Sequence, residues 1–365
     1  MTNVVTKIKS ETRPITIFTP SFADEDSTNA QNLTVKEIVV RLPSEHFHVI
    51  MISHGRPDPR IALRKNTALI PWTEHWNAIR LFKRCLFPRP DIYFFPRYGP
   101  LDRAFFDSRK CLGKRTALVS YVVMMMNDLT SRGLLARSIV EADRVCVNSQ
   151  YVGETVRKRF GLESTTIHDG VDRRFFFARP ASAEVRGLNP LVVLYAGSLQ
   201  PRKRVELVIQ EAARWPGVQF RLAGRGETEE RCRALCREHN CHNVSFLGHL
   251  SSLQLGEEMR KANVFFFPSI LEGHPQVLGQ AAACGLPAVA MNVYRPDYIV
   301  HGKTGFLAQS DAELTEKLGM LLRDSTLRQS MAADAACHSK QFDWDRIAQQ
   351  WIGVFREVVA ERRNR

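Results

Sequence analysis

Two polar stretches of the chain contain residues that could bind an anionic, hydroxyl-rich ligand. The first, Glu272-Gly273-His274-Pro275, follows the apolar run 264–267 and precedes a run of small residues. This order predicts a strand, a loop and a helix, with the loop at the carboxyl end of the strand, where open parallel sheets bind ligands. Gly273 would let the backbone approach a ligand, and Pro275 suits the first turn of a helix whose N–H groups face an anion. The same residues would also fit a tight connection without a ligand.

The second stretch, AGSLQPRKRVEL, follows the apolar run 191–195 and carries Arg202, Lys203 and Arg204 at the predicted start of a helix. Cations there oppose the helix dipole, so helix stability does not explain them, whereas an anionic ligand would. Arginine can bind a phosphate through two parallel hydrogen bonds, and lysine adds a point charge. The two stretches together predict cations and helix N–H groups for a diphosphate and the Glu272 carboxylate for sugar hydroxyls. A solvated basic turn is the alternative for the cations.

Apolar runs alternate with helical patterns along the whole chain, which predicts an α/β fold of doubly wound parallel sheets. The predicted strands are 15–18, 49–52, 92–95, 117–123, 145–147, 165–167, 191–195, 220–223, 244–247, 264–267, 288–290 and 306–308. A polar segment near residues 180–190 reads as a linker, so we expect domains at 1–182 and 190–340 with a ligand cleft between them. Residues 341–365 read as a C-terminal helix that could cross back to the first domain.

Length and composition agree with a folded, two-domain protein. At 365 residues the chain exceeds what one core usually holds, and it is 44% hydrophobic and 24% charged. No apolar run reaches the ~18 residues of a membrane span, and the N-terminus lacks the apolar core of a signal peptide. The sequence therefore predicts a cytoplasmic protein.

The net charge of +13 is unevenly distributed, because residues 41–115 contain 15 Lys or Arg against 6 Asp or Glu. Within them, basic and aromatic residues are interleaved at 80–99, RLFKRCLFPRPDIYFFPRYG. Such a stretch attracts anionic lipid or phosphorylated ligands, so it predicts peripheral contact with the inner face of a membrane. A core strand at 92–95 with solvated basic flanks is the simpler alternative. No DNA- or RNA-binding motif is present, so we expect no nucleic-acid partner.

The eight cysteines include no CxxC pair, which fits a reducing compartment. The densest group has a spacing that matches no common zinc site, so packing within helices is the preferred interpretation and no metal is expected. This group contains Cys232, Cys236, His239, Cys241 and His242.

From residue 191 to residue 351 the sequence resembles the retaining glycosyltransferases of family 4. The matching motifs are GSLQPRK at 197–203, LAGRG at 222–226, VSFLGHL at 244–250, PSILEGHP at 268–275, CGLPAVA, HGKTGFL and FDW. In the first half only IHDGVDRRFF, at 167–176, is similar to the family's Asn-Gly-Val-Asp signature. The resemblance implies the GT-B fold, with two Rossmann-like domains.

The resemblance also implies transfer of a sugar, with retention, from a nucleotide-diphosphate donor to a saccharide or lipid-linked acceptor. Breaking the bond to the diphosphate is the main barrier, so Arg202 and Lys203 would neutralise that leaving group without a divalent metal or other cofactor. Glu272 would orient donor hydroxyls. The other implied donor-binding residues are Gly197, Ser198, Gly224, Gly248, Gly273, His274, Pro275, Gln276, Val277 and Gln280.

Three departures from the family pattern leave alternatives open. Gln280 stands where the family's second glutamate holds the nucleotide ribose; its amide can still hydrogen-bond a hydroxyl but brings no charge. The double-glycine loop after the first strand is missing, and MMMND at 124–128 replaces a common histidine. The alternatives are a degenerate protein that binds a nucleotide sugar or a partner enzyme without catalysis, and a nucleotide-sugar epimerase.

Overall fold

The computed structural model describes residues 13–25, 30–72, 89–96, 99–112, 116–123, 133–178 and 190–364. These residues form two compact units. The first contains the residues up to Tyr121, those from 133 to 145 and those from Ala348 on, and the second contains 122–123 and Cys146–Ile347.

One parallel sheet has seven strands in the order β3-β2-β1-β4-β5-β6-β7. The strands are β1 Ile15–Phe22, β2 Phe47–Ser53, β3 Thr67–Pro71, β4 Ile92–Phe94, β5 Ala117–Val122, β6 Arg144–Val147 and β7 Thr165–Thr166. The associated helices are α1 Ala30–Val39, α2 Pro59–Ala62, α3 Pro100–Leu112, α4 Gly133–Val140 and α5 Gln150–Phe160. Six of the strands lie where they were predicted. Most of them are continuous apolar runs, because a parallel strand in the core is buried on both faces. The exception is β7, which consists of two half-buried threonines.

Strand β3 was not predicted from the sequence. It is the edge strand of the sheet, and only Ile70 of its five residues is buried. A half-exposed edge strand carries little apolar signal, so its sequence, TALIP, does not stand out from a loop.

The second parallel sheet has six strands in the order β10-β9-β8-β11-β12-β13. The strands are β8 Val192–Ala196, β9 Gln219–Ala223, β10 Val244–Gly248, β11 Val264–Phe267, β12 Ala288–Met291 and β13 Gly305–Ala308. The helices are α6 Val205–Arg214, α7 Glu229–Glu238, α8 Ser252–Lys261, α9 Gln276–Ala283, α10 Asp311–Arg323 and α11 Ser325–His338. All six strands were predicted. Their order reverses between β8 and β11, which is the topological switch point of a doubly wound sheet.

The chain finishes with α12, Trp344–Arg363, which from Ala348 on belongs to the first unit. There Trp351 packs edge-on against Phe94 of β4, with ring centroids 4.9 Å apart. Phe355 meets the same ring at 5.1 Å. These aromatic contacts bury the apolar stripe of the helix on the first sheet.

Several predictions fall wholly or partly outside the described residues. They concern the basic-aromatic stretch up to residue 88, the linker at 179–189 and the MMMND segment. Within 80–99, Ile92–Phe94 is the fully buried strand β4, as the core-strand alternative expects. None of the helices in the described ranges is both long and apolar enough to cross a bilayer.

Candidate active site

The two polar loops singled out in the sequence leave the two adjacent strands at the switch point of the second sheet. One loop follows β8 and the other follows β11, and the two strands pair in parallel, with Val264 opposite Val193. Parallel neighbours end at the same edge of a sheet, so both loops emerge side by side. Their proximity follows from the strand order, since 69 residues separate Lys203 from Glu272 in the chain.

The loop after β8 is held by its own backbone and by Tyr195. The Tyr195 hydroxyl donates to the Ser198 carbonyl at 2.9 Å. Pro201–Lys203 then form a 3₁₀ turn, and Arg204, with a φ of 54°, is the N-cap of α6. Arg202 and Lys203 therefore precede the α-helix rather than lie in its first turn, and the expected repulsion from the helix dipole is correspondingly relieved.

Arg202, Lys203 and Glu272 form one ion cluster. The Lys203 Nζ lies 2.5 Å from Glu272 Oε1, and Arg202 Nη1 lies 3.1 Å from the same oxygen. The hydroxyl of Ser269 also donates to that oxygen at 2.5 Å. Arg202 Nη1 additionally donates to the Leu271 carbonyl at 2.8 Å, which ties the two loops together. The three residues predicted to be catalytic are thus in direct contact.

Both Lys203 and Glu272 are buried, at 7% and 8% exposure. Burial lowers the pKa of Lys203, and the adjacent Glu272 carboxylate partly offsets this effect. The ammonium also lies 5.0 Å from the centre of the Phe267 ring. Because Arg202 contacts the same carboxylate, the cluster of two cations and one carboxylate carries one positive charge in excess.

Arg204, the third cation of the run, points elsewhere. Its guanidinium pairs with Asp311 at the start of α10. Of the three consecutive cations, Arg202 and Lys203 therefore contact Glu272, whereas Arg204 forms a separate ion pair.

A cavity of about 480 Å³ lies beside this ion cluster. Its lining is drawn from the loops after β8, β9, β10 and β11 and from α8 and α9: Ala196, Gly197, Ser198, Lys203, Ala223, Gly224, Arg225, His249, Leu250, Leu255, Glu272, Pro275, Gln276, Val277 and Gln280. Most of the predicted donor-binding residues are in this set, whereas Arg202, Gly248, Gly273 and His274 are not. Arg225 and His249 were not singled out, although each directly follows a glycine that was, Gly224 and Gly248.

The N-terminus of α9 faces this cavity with Gln276 and Val277. Pro275 is its N-cap residue and has no side-chain acceptor, so the first-turn N–H groups are not capped by that side chain. Uncapped N–H groups and the positive end of the helix dipole favour an anion at this position.

Two glycine turns of the cavity lining, at Gly197 and Gly224, cross closely. The Gly224 N–H donates to the Gly248 carbonyl at 2.7 Å, and the Gly197 N–H donates to Ala223 at 2.9 Å. A Cβ placed on Gly224, whose φ is 144°, would stand 1.9 Å from the Gly197 carbonyl oxygen. Only glycine fits there, because the clash is with backbone that cannot rotate away.

We expect Gly224→Ala to unfold the second unit at markedly lower denaturant concentration and to weaken ligand binding in the cavity. The positive φ alone costs about 1–3 kcal/mol, and the clash adds to it. Gly217→Ala is the matched control, since among the described residues no atom lies within 4 Å of a Cβ at that position. Urea unfolding of both variants measures the difference, and equal midpoints would contradict this account of the crossing.

His274 does not present its side chain to the cavity. The imidazole is fully buried and stacked on Tyr298, with ring centroids 4.0 Å apart. Burial lowers the pKa of His274 to about 3, so the ring is neutral. His274 can therefore contact a ligand in the cavity only through its backbone.

Two cysteines of the densest cysteine group lie on helix α7. Cys232 is fully buried on α7, and Cys236 is half-buried one turn later. Burial raises the pKa of each thiol to about 11, which keeps both protonated at neutral pH.

The second half of the chain is similar to a known protein family. Residues 180–337 match the family described as Glycosyl transferases group 1. A D-inositol 3-phosphate glycosyltransferase of Acidothermus cellulolyticus is 32% identical over 251 residues, which are 62% of this chain and 55% of that protein. An uncharacterized glycosyltransferase, MJ1178, of Methanocaldococcus jannaschii is 22% identical over 66% of each chain. The chain spans between about half and two thirds of the length of these curated relatives.

Solved structures extend the likeness in fold to nearly the whole chain. Anabaena Alr3699/HepE in complex with UDP and glucose has a TM-score of 0.75 at 17% identity, covering 94% of this chain and all of that one. Sucrose-phosphate synthase from Thermosynechococcus elongatus has the same TM-score at 18% identity, covering 96% of this chain. At such identities the likeness establishes the fold, which is GT-B. Residues 180–337 are thus the part of the chain that is similar to the glycosyl transferases of group 1.

Proposed function

We propose that the protein is a retaining glycosyltransferase that moves a sugar from a nucleoside-diphosphate donor to a saccharide or lipid-linked acceptor. The observation that carries this proposal is the ion cluster of Arg202, Lys203 and Glu272 beside the switch-point cavity. A nucleoside diphosphate is the ligand of the similar Anabaena structure, which contains UDP.

The chemistry follows from where charge develops. The bond from the anomeric carbon to the diphosphate oxygen breaks, and the electron pair leaves with the diphosphate. Arg202 and Lys203 receive this charge together with the N–H groups at the start of α9. Preorganised charges of this kind act mainly in the transition state, because they are already held in place before the charge appears.

Glu272 has two roles in this proposal. Before the donor binds, its carboxylate holds both cations through a single oxygen, Oε1. When the diphosphate arrives, the cations share their charge with it, and Glu272 orients sugar hydroxyls. The reaction needs no divalent cofactor, so added magnesium or manganese should leave the rate unchanged.

Incubation with a panel of nucleotide sugars tests the proposal and separates it from its alternatives. Release of the nucleoside diphosphate, with the anomeric configuration of the donor retained in the product, supports a retaining transferase. An altered sugar still attached to the nucleotide indicates an epimerase. Binding with neither change indicates the degenerate protein, and either of these two outcomes would overturn the proposal.

Gln280 offers a prediction about donor affinity. Gln280→Glu should tighten nucleotide binding several-fold, because a carboxylate bonds a ribose hydroxyl more strongly than an amide does. Gln276→Glu is the matched comparison, since both glutamines lie on α9 and line the cavity. It places the new charge at the helix start proposed for the diphosphate, so binding should weaken. Calorimetry with UDP or another nucleoside diphosphate measures the affinity of both variants. If the affinity changed in the same direction in both, this placement of the nucleotide would be contradicted.

The acceptor is assigned only by class. We propose a membrane-proximal saccharide because of the basic, aromatic residues near 80–99. Co-sedimentation with vesicles containing anionic lipid tests this, with neutral vesicles as the control. Failure to bind anionic vesicles even at low salt would favour a soluble acceptor.

A further inference from the structure

A second group of polar side chains includes one residue of the loop after β11, residues 268–275, here called the donor loop, but none of the residues that line the cavity. His168, which follows β7, places its Nε2 atom 3.0 Å from the Asp297 carboxylate. His274, in the donor loop, completes the group, and one ligand atom from each residue lies within 4.8 Å of the others. All three residues belong to the second unit. Among the described residues this is the one set of His, Cys, Asp and Glu side chains with such an arrangement.

His274 is the unusual member of this cluster. Its side chain is 0% exposed, yet neither ring nitrogen has a hydrogen-bond partner among the described residues. The nearest carboxylate, that of Asp169, lies 4.0 Å from Nδ1, which is too far for a hydrogen bond. Burying two polar nitrogens without partners is unfavourable, and native proteins rarely do so without a bound group.

The His274 ring is also fixed in place. It stacks on Tyr298, whose hydroxyl donates to the Asp169 carbonyl at 2.9 Å. The other side of Tyr298 is closed by α9, because a Cβ on Gly279 would stand 2.6 Å from the tyrosine ring. These contacts hold the plane of the imidazole against Tyr298.

We propose that His168, His274 and Asp297 form a structural site for a transition-metal ion, with zinc as the expected ion. Two imidazoles and one carboxylate are a common ligand set for Zn²⁺. Tetrahedral ligand atoms bound at about 2.0–2.2 Å lie about 3.3–3.6 Å apart, so the widest separation in the cluster must contract by at most about 1.5 Å to close around the ion. The Asp169 carboxylate lies on the Nδ1 side of His274, where metal-bound histidines commonly have an outer carboxylate partner.

The cluster is closed on one side and open on the other. The His274 side chain is inaccessible, whereas those of His168 and Asp297 are 21% and 19% exposed. An ion can therefore enter from the exposed side, where water would supply the remaining ligand. Because His274 is outside the cavity lining, the ion would be a clamp rather than part of the reaction. It would join the donor loop to the segment after β7 and to the segment after β12.

Metal binding to the full chain, prepared without a histidine tag and stripped with a chelator, tests the site. We expect one equivalent of Co²⁺ to bind with visible absorption bands, Zn²⁺ to displace it, and either ion to raise the thermal midpoint. His168→Gln and Asp297→Asn should each abolish the bands and the shift. His239→Gln, which removes an exposed imidazole at the end of α7, should keep both.

Two results would overturn the proposal. One is the absence of stoichiometric binding by the stripped wild-type chain at micromolar metal. The other is unchanged binding in His168→Gln and Asp297→Asn. Circular dichroism of each metal-free variant establishes that it is folded, and if a variant is not, the wild-type titration decides alone. None of these readouts requires sugar transfer, so they do not depend on the proposed function.

Discussion

The double variant Arg202→Ala with Lys203→Ala should lose sugar transfer by at least about 10³-fold in kcat/KM. Removing a single preorganised donor from a site of developing charge typically costs 10²–10³ in rate, and this variant removes two cations. Each of them contacts Glu272 Oε1, beside the cavity where we place the diphosphate. Nucleotide release with the best donor of the panel measures the loss. Undiminished release would remove these residues from the mechanism.

Arg204→Ala is the matched control for this experiment. It removes the same kind of charge from the next residue, but Arg204 pairs with Asp311 and not with Glu272. Exposed ion pairs contribute little to stability, about 0–1 kcal/mol, so the variant should fold and retain activity. If Arg204→Ala lost as much activity as the double variant, net charge near the site would explain the result better than the ion cluster does.

Glu272→Ala should be the most destabilising single substitution in the site. It leaves the Lys203 ammonium, at 7% exposure, without its carboxylate. Breaking one side of a buried ion pair costs about 3–5 kcal/mol, because the remaining charge stays desolvated. In a unit of about 200 residues each kcal/mol lowers the thermal midpoint by about 2–4 °C, so we expect a fall of about 10 °C.

Two comparisons identify the cause of that loss. Combining Glu272→Ala with Lys203→Met should restore part of the midpoint, because replacing both partners is much less costly than removing one. Glu316→Ala, in which the lost carboxylate is 62% exposed and paired with Lys317, should change the midpoint little. If the double variant is less stable than Glu272→Ala, the buried charge is not the cause.

The Glu272→Ala variant also tests whether a ligand reaches the two cations. UDP or another nucleoside diphosphate should raise the midpoint of Glu272→Ala by more than it raises that of the wild type. In the wild type the diphosphate competes with a carboxylate already on the cations, whereas in the variant it supplies the missing anion. Equal shifts would mean that the diphosphate does not reach Lys203.

Sequence patterns were sufficient for most of the second sheet. Strands such as Val264–Phe267 are continuous apolar runs, and they are recognisable because both faces of a parallel sheet are covered. The polar loops after 195 and 267 could likewise be assigned to the carboxyl ends of strands. In the first sheet, strand β3 could not be predicted from the sequence, because it is an edge strand and only its residue Ile70 is buried.

The direction in which individual side chains point could not be predicted from the sequence. His274 lies between two predicted ligand residues, Gly273 and Pro275, yet its ring packs on Tyr298 away from the cavity lining. Arg225 and His249 line the cavity, although nothing in their residue type distinguishes them from solvated surface residues. Such orientations depend on neighbours far away in the chain, which local patterns do not report.

The sequence by itself determined twelve of the thirteen described strands, the family resemblance and the residue types of the site. Those residue types are two cations after one strand and a carboxylate after another. Only the tertiary structure decided that Lys203 and Glu272 touch, since their contact requires β8 and β11 to be neighbours in the sheet. The physical reason is that hydrophobic periodicity fixes which segments are buried strands but not their order. The strand order places Lys203 and Glu272, which are 69 positions apart in the chain, in contact, so that residues of two polar loops form one ion cluster.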